Sequence, residues 1–490
     1  MNEVAAIVRG LAPSSGVLIG GDWRPGELGT FDVDDPADKS VVAAVANAGT
    51  GQARAAVDAA EAAARAWAGT PPRARSEILH RAFESMRRDR EALARLITAE
   101  NGKSLRDAEA EVTYAAEFLR WYAEEAVRPD GGYGPAPAGG TRTVVTHRPV
   151  GIAALVTPWN FPAAMATRKL GPALAAGCTV VLKPAHETPL TALAIARLIE
   201  DAGAPAGVVN VVPTTEPADV VGAWLSDPRV RKLSFTGSTA VGRLLLRQAA
   251  DRVLNCSMEL GGNAPFVVLD DADVPAAVDG AMIAKFRGGG QACTAANRFY
   301  VHESVVDDFT AQLALRVERL RVGRGAEPAT DIGPLISGQA VAGATGLIDD
   351  ALQRGARIAA QTSVPSELSG HFMAPTVLAD VTPEARVVQE EIFAPVAPVV
   401  AWRDQDELLA MVNGTEMGLA AYVYSRDLKR AMVMSEAIEA GMVGINRGLV
   451  SDPSAPFGGV KQSGLGREGA REGLAEYQET QYFSVDWSTP

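Results

Sequence analysis

Cysteine is scarce: the 490 residues hold three, Cys178, Cys256 and Cys293, too far apart for a disulfide framework or a CxxC metal or redox pair. The five histidines are scattered as well, so no protein-built zinc site is expected. No segment has the roughly 18 uninterrupted apolar residues of a membrane helix. The opening MNEVAAIVRGLAPSSG carries an early Glu and no apolar run after a basic patch, so it does not read as a secretory signal. Basic clusters are missing too: 46 Lys and Arg face 59 Asp and Glu, a formal net charge of -13, which argues against a nucleic-acid partner. Neither low-complexity tracts nor internal repeats are visible. These absences leave a cytoplasmic globular enzyme as the default, and 490 residues exceed one hydrophobic core and suggest two or three domains.

What is present alternates in period. From Gly51 to about Ala126 apolar residues recur at three- and four-residue spacing, as in RSEILHRAFESMRRDREALARLI, which predicts helices. The Pro- and Gly-rich run RPDGGYGPAPAGG ends that block, and TRTVVTHRPVGIAALVTP predicts strands with a protruding hairpin. Between Ala163 and Gly262 short β-like runs (CTVVLKP, GVVNVVP, RKLSFTG) alternate with helical ones, the pattern of a parallel sheet with crossover helices. A second alternating region runs from APFVVLD to EAGMVGIN, and the tail YQETQYFSVDW reads as a strand.

Several short motifs could carry chemistry. In FTGSTAVG, Gly237 and Ser238 sit where a β-like run meets a helical one, a place for backbone N–H groups to meet phosphate oxygens or simply for an N-capped turn. In MELGGNAP, Glu259 lies among apolar residues and glycines, where desolvation would raise its pKa and suit it to general-base work; an exposed Glu at a strand end is the alternative. In RGGGQACTAANR, Cys293 follows a glycine run, and ACTAAN looks able to begin a helix whose N-terminus would lower the thiol pKa, although a free Cys also serves as a small buried hydrophobe. Cys178 and Cys256 are assigned to packing within β-like runs. Asn160, between two prolines in TPWNFP, could donate to an oxyanion or hold a turn, and Lys183 in LKPAHETP could reach a ribose or phosphate or remain solvated.

Together TPWNFP, LKPAHETP, FTGSTAVG, MELGGNAP, GQACTAANR, EEIFAP and PFGGVKQSGLGREG, in this order, resemble the aldehyde dehydrogenase superfamily over essentially the whole chain. The resemblance implies an α/β fold with a Rossmann-type NAD(P)-binding domain (1–128 and 150–261), an α/β catalytic domain (262–461) and a β-strand oligomerisation arm (129–149 and 475–490) that makes a homodimer or homotetramer. It implies that Cys293 attacks the aldehyde, that Asn160 and the Cys293 N–H hold the oxyanion, and that Glu259 activates water, with Lys169 and Glu468 forming a proton path behind it. A helix-surface Lys and a Glu on a C-terminal helix are the plain alternatives for those two. Thr157, Pro158, Trp159, Lys183, His186, Gly237, Ser238, Leu260, Glu391 and Phe393 are implied to contact the cofactor. His186 stands where NAD-preferring relatives often place Glu, and a His does not repel a 2′-phosphate, which leans the expectation from NAD to NADP. A non-catalytic member of the fold would have lost Cys293 or Glu259, and both are present.

Within the superfamily, MATRKLGPALAAGCTVVLKPA, KFRGGGQACTAANR and INRGLVSDPSAPFGGVKQSGLGREG are similar to succinate-semialdehyde dehydrogenases. Arg168, Arg287 and Ser451 match that family's clamp for the distal carboxylate, a role suited to guanidinium groups, although either arginine taken singly could form a surface salt bridge. The implied substrate is succinate semialdehyde or a close short ω-oxo acid, with an aromatic or longer aliphatic aldehyde as the alternative. Ala295 stands where such relatives often carry a second Cys, so no redox pair with Cys293 is expected, and the Gly288–Gly290 run makes the pocket loop more permissive.

Overall fold

The computed structural model describes residues 7, 10, 11 and 16–487; most of the opening segment and residues 488–490 of the expected arm lie outside the described residues. The Ala- and Leu-rich block folds as helices Thr50–Ala68, Pro72–Arg88, Arg90–Asn101 and Leu105–Glu125. Gly102, at φ 88°, closes the third in the left-handed conformation, and Ser104 Oγ accepts from the Asp107 N–H (3.3 Å) to begin the fourth. This tight turn points Lys103 and Asp107 toward the centre of the molecule.

The first sheet runs Asp22–Arg24, Val17–Ile19, Val209–Val211, Val180–Lys183, Ile152–Val156, Val230–Thr236, Asn255–Glu259 and Gly464–Leu465 in spatial order. Its five central strands are parallel, and Ile152–Val156 is buried along its whole length, as a strand covered by helices on both faces must be. Chain order proceeds outward from Ile152–Val156 in one direction through Val180–Lys183 and Val209–Val211, then restarts on its other side at Val230–Thr236. The crevice beyond the carboxyl ends of those two neighbours is a topological switch point, where open α/β sheets bind ligands.

The second sheet orders Arg357–Gln361, Thr376–Ala379, Val396–Trp402, Ala296–His302, Ala264–Val268, Ala420–Tyr424 and Met442–Ile445, parallel except for its first pair. After Met442–Ile445 the chain leaves this sheet and crosses back, where Gly464–Leu465 pairs antiparallel with Met258 and Glu259 at the edge of the first. A third sheet stands apart: Gln478–Asp486 pairs with Thr141–Pro149 along nine residues, and the hairpin partner of Thr141–Pro149 is Gly132–Pro135, inside the Pro- and Gly-rich run rather than after it. Its Tyr482, Phe483 and neighbouring Trp487 are exposed.

Candidate active site

The switch-point crevice holds a cavity of ≈ 240 Å³ walled by Pro158, Trp159, Gly237, Ser238, Glu391 and Phe393, and Cys293 at its inner end. Ser238 caps the helix Thr239–Ala250, accepting from the Val241 N–H (3.4 Å), which is the N-capped turn, and the helix's backbone start is open to solvent. Gly237 has no room for a side chain: a Cβ would lie 2.5 Å from the Phe235 ring. The Trp159 and Phe393 rings meet edge to face at 5.7 Å, and Phe393 holds a strained φ of 51°. Lys183 is buried rather than solvated; it donates to the Pro184 carbonyl (2.8 Å), and burial lowers its ammonium to about 8. Leu260 is buried and lines the cavity, Thr157 is buried without lining it, and His186 is exposed, with Glu187 Oε2 3.3 Å from its Nδ1. An open helix start, a lysine, a glycine that admits close approach and two flanking rings fit a pyridine dinucleotide.

Cys293 lies between this cavity and a smaller one of ≈ 50 Å³ on its other side. The sequence expectation of a helix after it is overturned: Ala296–His302 is a strand, held between Ala264–Val268 and Val396–Trp402 in the second sheet. No helix N-terminus therefore lowers the thiol, and burial instead pushes it up to about 12, with Arg168 opposing and Glu391 adding to the rise. The turn into Cys293 depends on Gly288, Gly289 and Gly290 at φ 60°, 66° and 73°. Close approach matters on the far side as well, since a Cβ on Gly262 would sit 2.4 Å from the Cys293 carbonyl oxygen. Asn160 is buried beside the thiol; its amide donates to the Gln291 carbonyl (3.0 Å), which leaves one N–H for a ligand. Cys178 is buried in the loop just before Val180–Lys183 rather than in the strand, and Cys256 is half-buried in Asn255–Glu259.

Behind the thiol lies a buried charge cluster. Glu259 is 2% exposed, not the exposed strand-end residue of the alternative reading; burial first and then the Glu468 charge raise its carboxyl well above the ordinary range. It lines neither cavity but sits against Gly458, where a Cβ would be 3.0 Å from Oε1. Lys169 is fully buried rather than on a helix surface, and its ammonium donates to Ser234 Oγ (2.9 Å) and Glu468 Oε1 (2.5 Å). Glu468 precedes the helix Ala470–Ala475 and bridges its backbone to Phe457. Burial works against its charge, but Lys169 and Arg168 hold its carboxyl below the usual value.

Arg168 and Arg287 line the smaller cavity together with Ser451, yet they differ in kind. Arg168 is 1% exposed, pairs with Glu468 Oε2 and stacks on Phe457 (4.0 Å), so the surface salt bridge considered for it is excluded. Arg287 is half-buried over the Phe161 ring (5.6 Å) and has no acid partner among the described residues. Sequence reasoning missed the support of this wall. Lys103 pairs with Glu111 (2.6 Å) and donates to the Asn160 carbonyl (2.6 Å), Glu111 accepts from the Ala163 and Ala164 N–H groups, and Asp107 accepts from Gly288 (2.8 Å). Their only signal in the sequence was a cluster of charges just after a helix-ending Asn-Gly. Among the described residues no group is placed to hold a metal ion, and no helix is long and apolar enough to cross a membrane.

Comparisons with known proteins agree with this geometry. The profile described as the aldehyde dehydrogenase family matches residues 23–483. A succinate-semialdehyde dehydrogenase of Paenarthrobacter nicotinovorans is 52% identical, covering 91% of this chain and 99% of its own. A glutarate-semialdehyde dehydrogenase of Pseudomonas putida is 48% identical over 95% of this chain and 97% of its own. The crystal structure of an NADP-dependent enzyme of E. coli superposes with a TM-score of 0.95 at 46% identity, covering 97% of this chain and 99% of that one. With likeness of this extent added to a thiol set between a switch-point crevice and an arginine-lined cavity, the chain belongs to the aldehyde dehydrogenase family.

Proposed function

We propose that this enzyme oxidises succinate semialdehyde, or a close short ω-oxo acid, to the dicarboxylate with NADP or NAD as hydride acceptor. The observation that carries the substrate class is Arg287: a half-buried guanidinium facing a ≈ 50 Å³ cavity beside the nucleophile, with no acid partner among the described residues. Desolvating such a charge is costly unless an anion meets it. Ser451 adds a hydroxyl to the same wall, and Arg168 adds a guanidinium already balanced by Glu468. The small volume favours a short chain over a long or aromatic one.

Cys293 Sγ adds to the carbonyl carbon, and the resulting oxyanion takes hydrogen bonds from the second Asn160 N–H and the Cys293 backbone N–H. Because the thiol sits at about 12 before substrate binds, its proton must leave as attack occurs, and the Glu259 carboxylate is the nearby acceptor. When bound, the dinucleotide supplies the hydride acceptor that turns the thiohemiacetal into a thioester. Glu259 passes the thiol proton toward Lys169 and Glu468, whose buried contacts reach the edge of the first sheet, and, once free of it, takes a second proton from the hydrolytic water. Thr157, Pro158, Trp159, Lys183, His186, Gly237, Ser238, Leu260, Glu391 and Phe393 hold the dinucleotide. Exposed His186 tolerates a 2′-phosphate, in keeping with NADP.

The segments 1–128 and 150–261 serve as the cofactor unit and 262–461 as the catalytic unit. The arm of 129–149 and 475–490, whose strands Gly132–Pro135, Thr141–Pro149 and Gln478–Asp486 form the three-stranded sheet, joins subunits into a homodimer or homotetramer in the cytoplasm. Steady-state kcat/KM for succinate semialdehyde, glutarate semialdehyde, butanal and benzaldehyde, each with NAD and NADP, tests the reading. A preference of about 100-fold for the carboxylated aldehydes, about 2.7 kcal/mol, is expected; a flat profile would overturn it.

A further inference from the structure

On the outer side of Arg287 and Asp107, which also line the substrate cavity, lies a basin of ≈ 440 Å³. Its walls carry four guanidinium groups, Arg106, Arg287, Arg316 and Arg319, against two carboxylates, Asp107 and Asp331. Most of these charges are committed. Arg106 pairs with Asp331 (3.3 Å), Arg316 pairs with Asp279, and Asp107 accepts from the Gly288 N–H (2.8 Å). Arg319 is exposed, and its side chain makes no ion pair or hydrogen bond with another described residue. Ile283, 48% exposed, and Leu320 give the basin an apolar floor between the charges.

A chain with a formal net charge of -13 repels an anion at long range. Whether an anion reaches the thiol then depends on positive charge within about a Debye length, roughly 10 Å at 0.1 M salt, of the entrance. The basin supplies that charge beside Arg287, which it shares, along with Asp107, with the inner cavity. We propose that this basin is the entry port for an anionic aldehyde and that Arg319 is its outer specificity-determining charge, passing the carboxylate inward to Arg287 while the apolar floor takes the methylene chain. The inference rests on the reading of the substrate as an ω-oxo acid.

The test compares wild type with Arg319→Gln and Arg319→Glu, measuring kcat/KM for succinate semialdehyde and butanal at about 20 mM and about 500 mM NaCl, conditions that leave or remove the field of an exposed charge. At low salt Arg319→Glu should lower kcat/KM for succinate semialdehyde about fivefold or more, with Arg319→Gln in between and kcat unchanged. Butanal should be untouched, which also reports an intact fold, and the deficit should vanish at high salt. Equal losses for both aldehydes, or no loss at low salt in an enzyme that prefers the semialdehyde, would overturn the port alone. A wild type with no preference between the two aldehydes would overturn the substrate reading and the port with it.

Discussion

Replacing Arg287 by alanine isolates the carboxylate clamp. The side chain is half-buried, stacks over Phe161 at 5.6 Å and pairs with no acid among the described residues, so its removal breaks no internal ion pair. A hydrogen bond to a charged group contributes about 1.5–3 kcal/mol, and with Ser451 and Arg168 still in place one such contact is lost. The expected fall in kcat/KM for succinate semialdehyde is therefore about 10- to 150-fold, carried mainly by KM, with butanal changed by less than about twofold. Arg168→Ala gives the contrast, because it strips one carboxylate oxygen of buried Glu468 of its partner. Breaking a buried pair costs about 3–5 kcal/mol, so that variant should lose activity on both aldehydes and unfold at lower denaturant. The assay is the initial rate of reduced-cofactor formation, backed by urea denaturation of each variant. Equal losses on both aldehydes for Arg287→Ala, with stability unchanged, would refute the clamp.

Other expectations follow from the same geometry. A Cys293 thiol held at about 12 should be alkylated by iodoacetamide about tenfold faster for each unit of rising pH between about 7 and 9, because the thiolate fraction grows that way far below the pKa; a plateau in that range would mean a lowered thiol. Cys293→Ala should abolish turnover while fluorescence titration shows dinucleotide binding retained. Gly289→Ala, at φ 66° with its nearest neighbour 3.7 Å away, should cost about 1–2 kcal/mol in denaturation. Gly290→Ala should be far worse, because its Cβ would stand 2.4 Å from the Ala394 carbonyl oxygen. His186→Glu should shift the ratio of kcat/KM for NADP over NAD toward NAD by about tenfold, the scale of a like charge near a 2′-phosphate; an unchanged ratio would remove His186 from cofactor choice.

The helices from Thr50 to Glu125 were legible because their apolar spacing is set by local geometry, and the parallel strands because β-branched runs buried on both faces leave few alternatives. The segment after Cys293 was misread for a related reason. ACTAAN is too short and too small-sided to carry a period, and its conformation is fixed by neighbours on both sides, Ala264–Val268 and Val396–Trp402. The pairing of Arg168 and Lys169 with Glu468 spans about three hundred residues of sequence, so no local pattern marks it. Lys103, Glu111 and Asp107 were hidden similarly, since charges at a helix start read as a solvated face until the loops they hold are folded against them.

The crossing of Gly464–Leu465 back to the first sheet has a consequence for how the protein is made. Arg168 and Lys169 are among the innermost side chains, and the acid they share, Glu468, is synthesised about three hundred residues after them. Until that acid emerges from the ribosome, closing the early half means enclosing two cations with no counter-ion, so its final compaction waits for that later segment. A nascent chain can present Cys293 well before then, but not with the charge cluster behind it assembled, and competence for chemistry arrives only with Glu468.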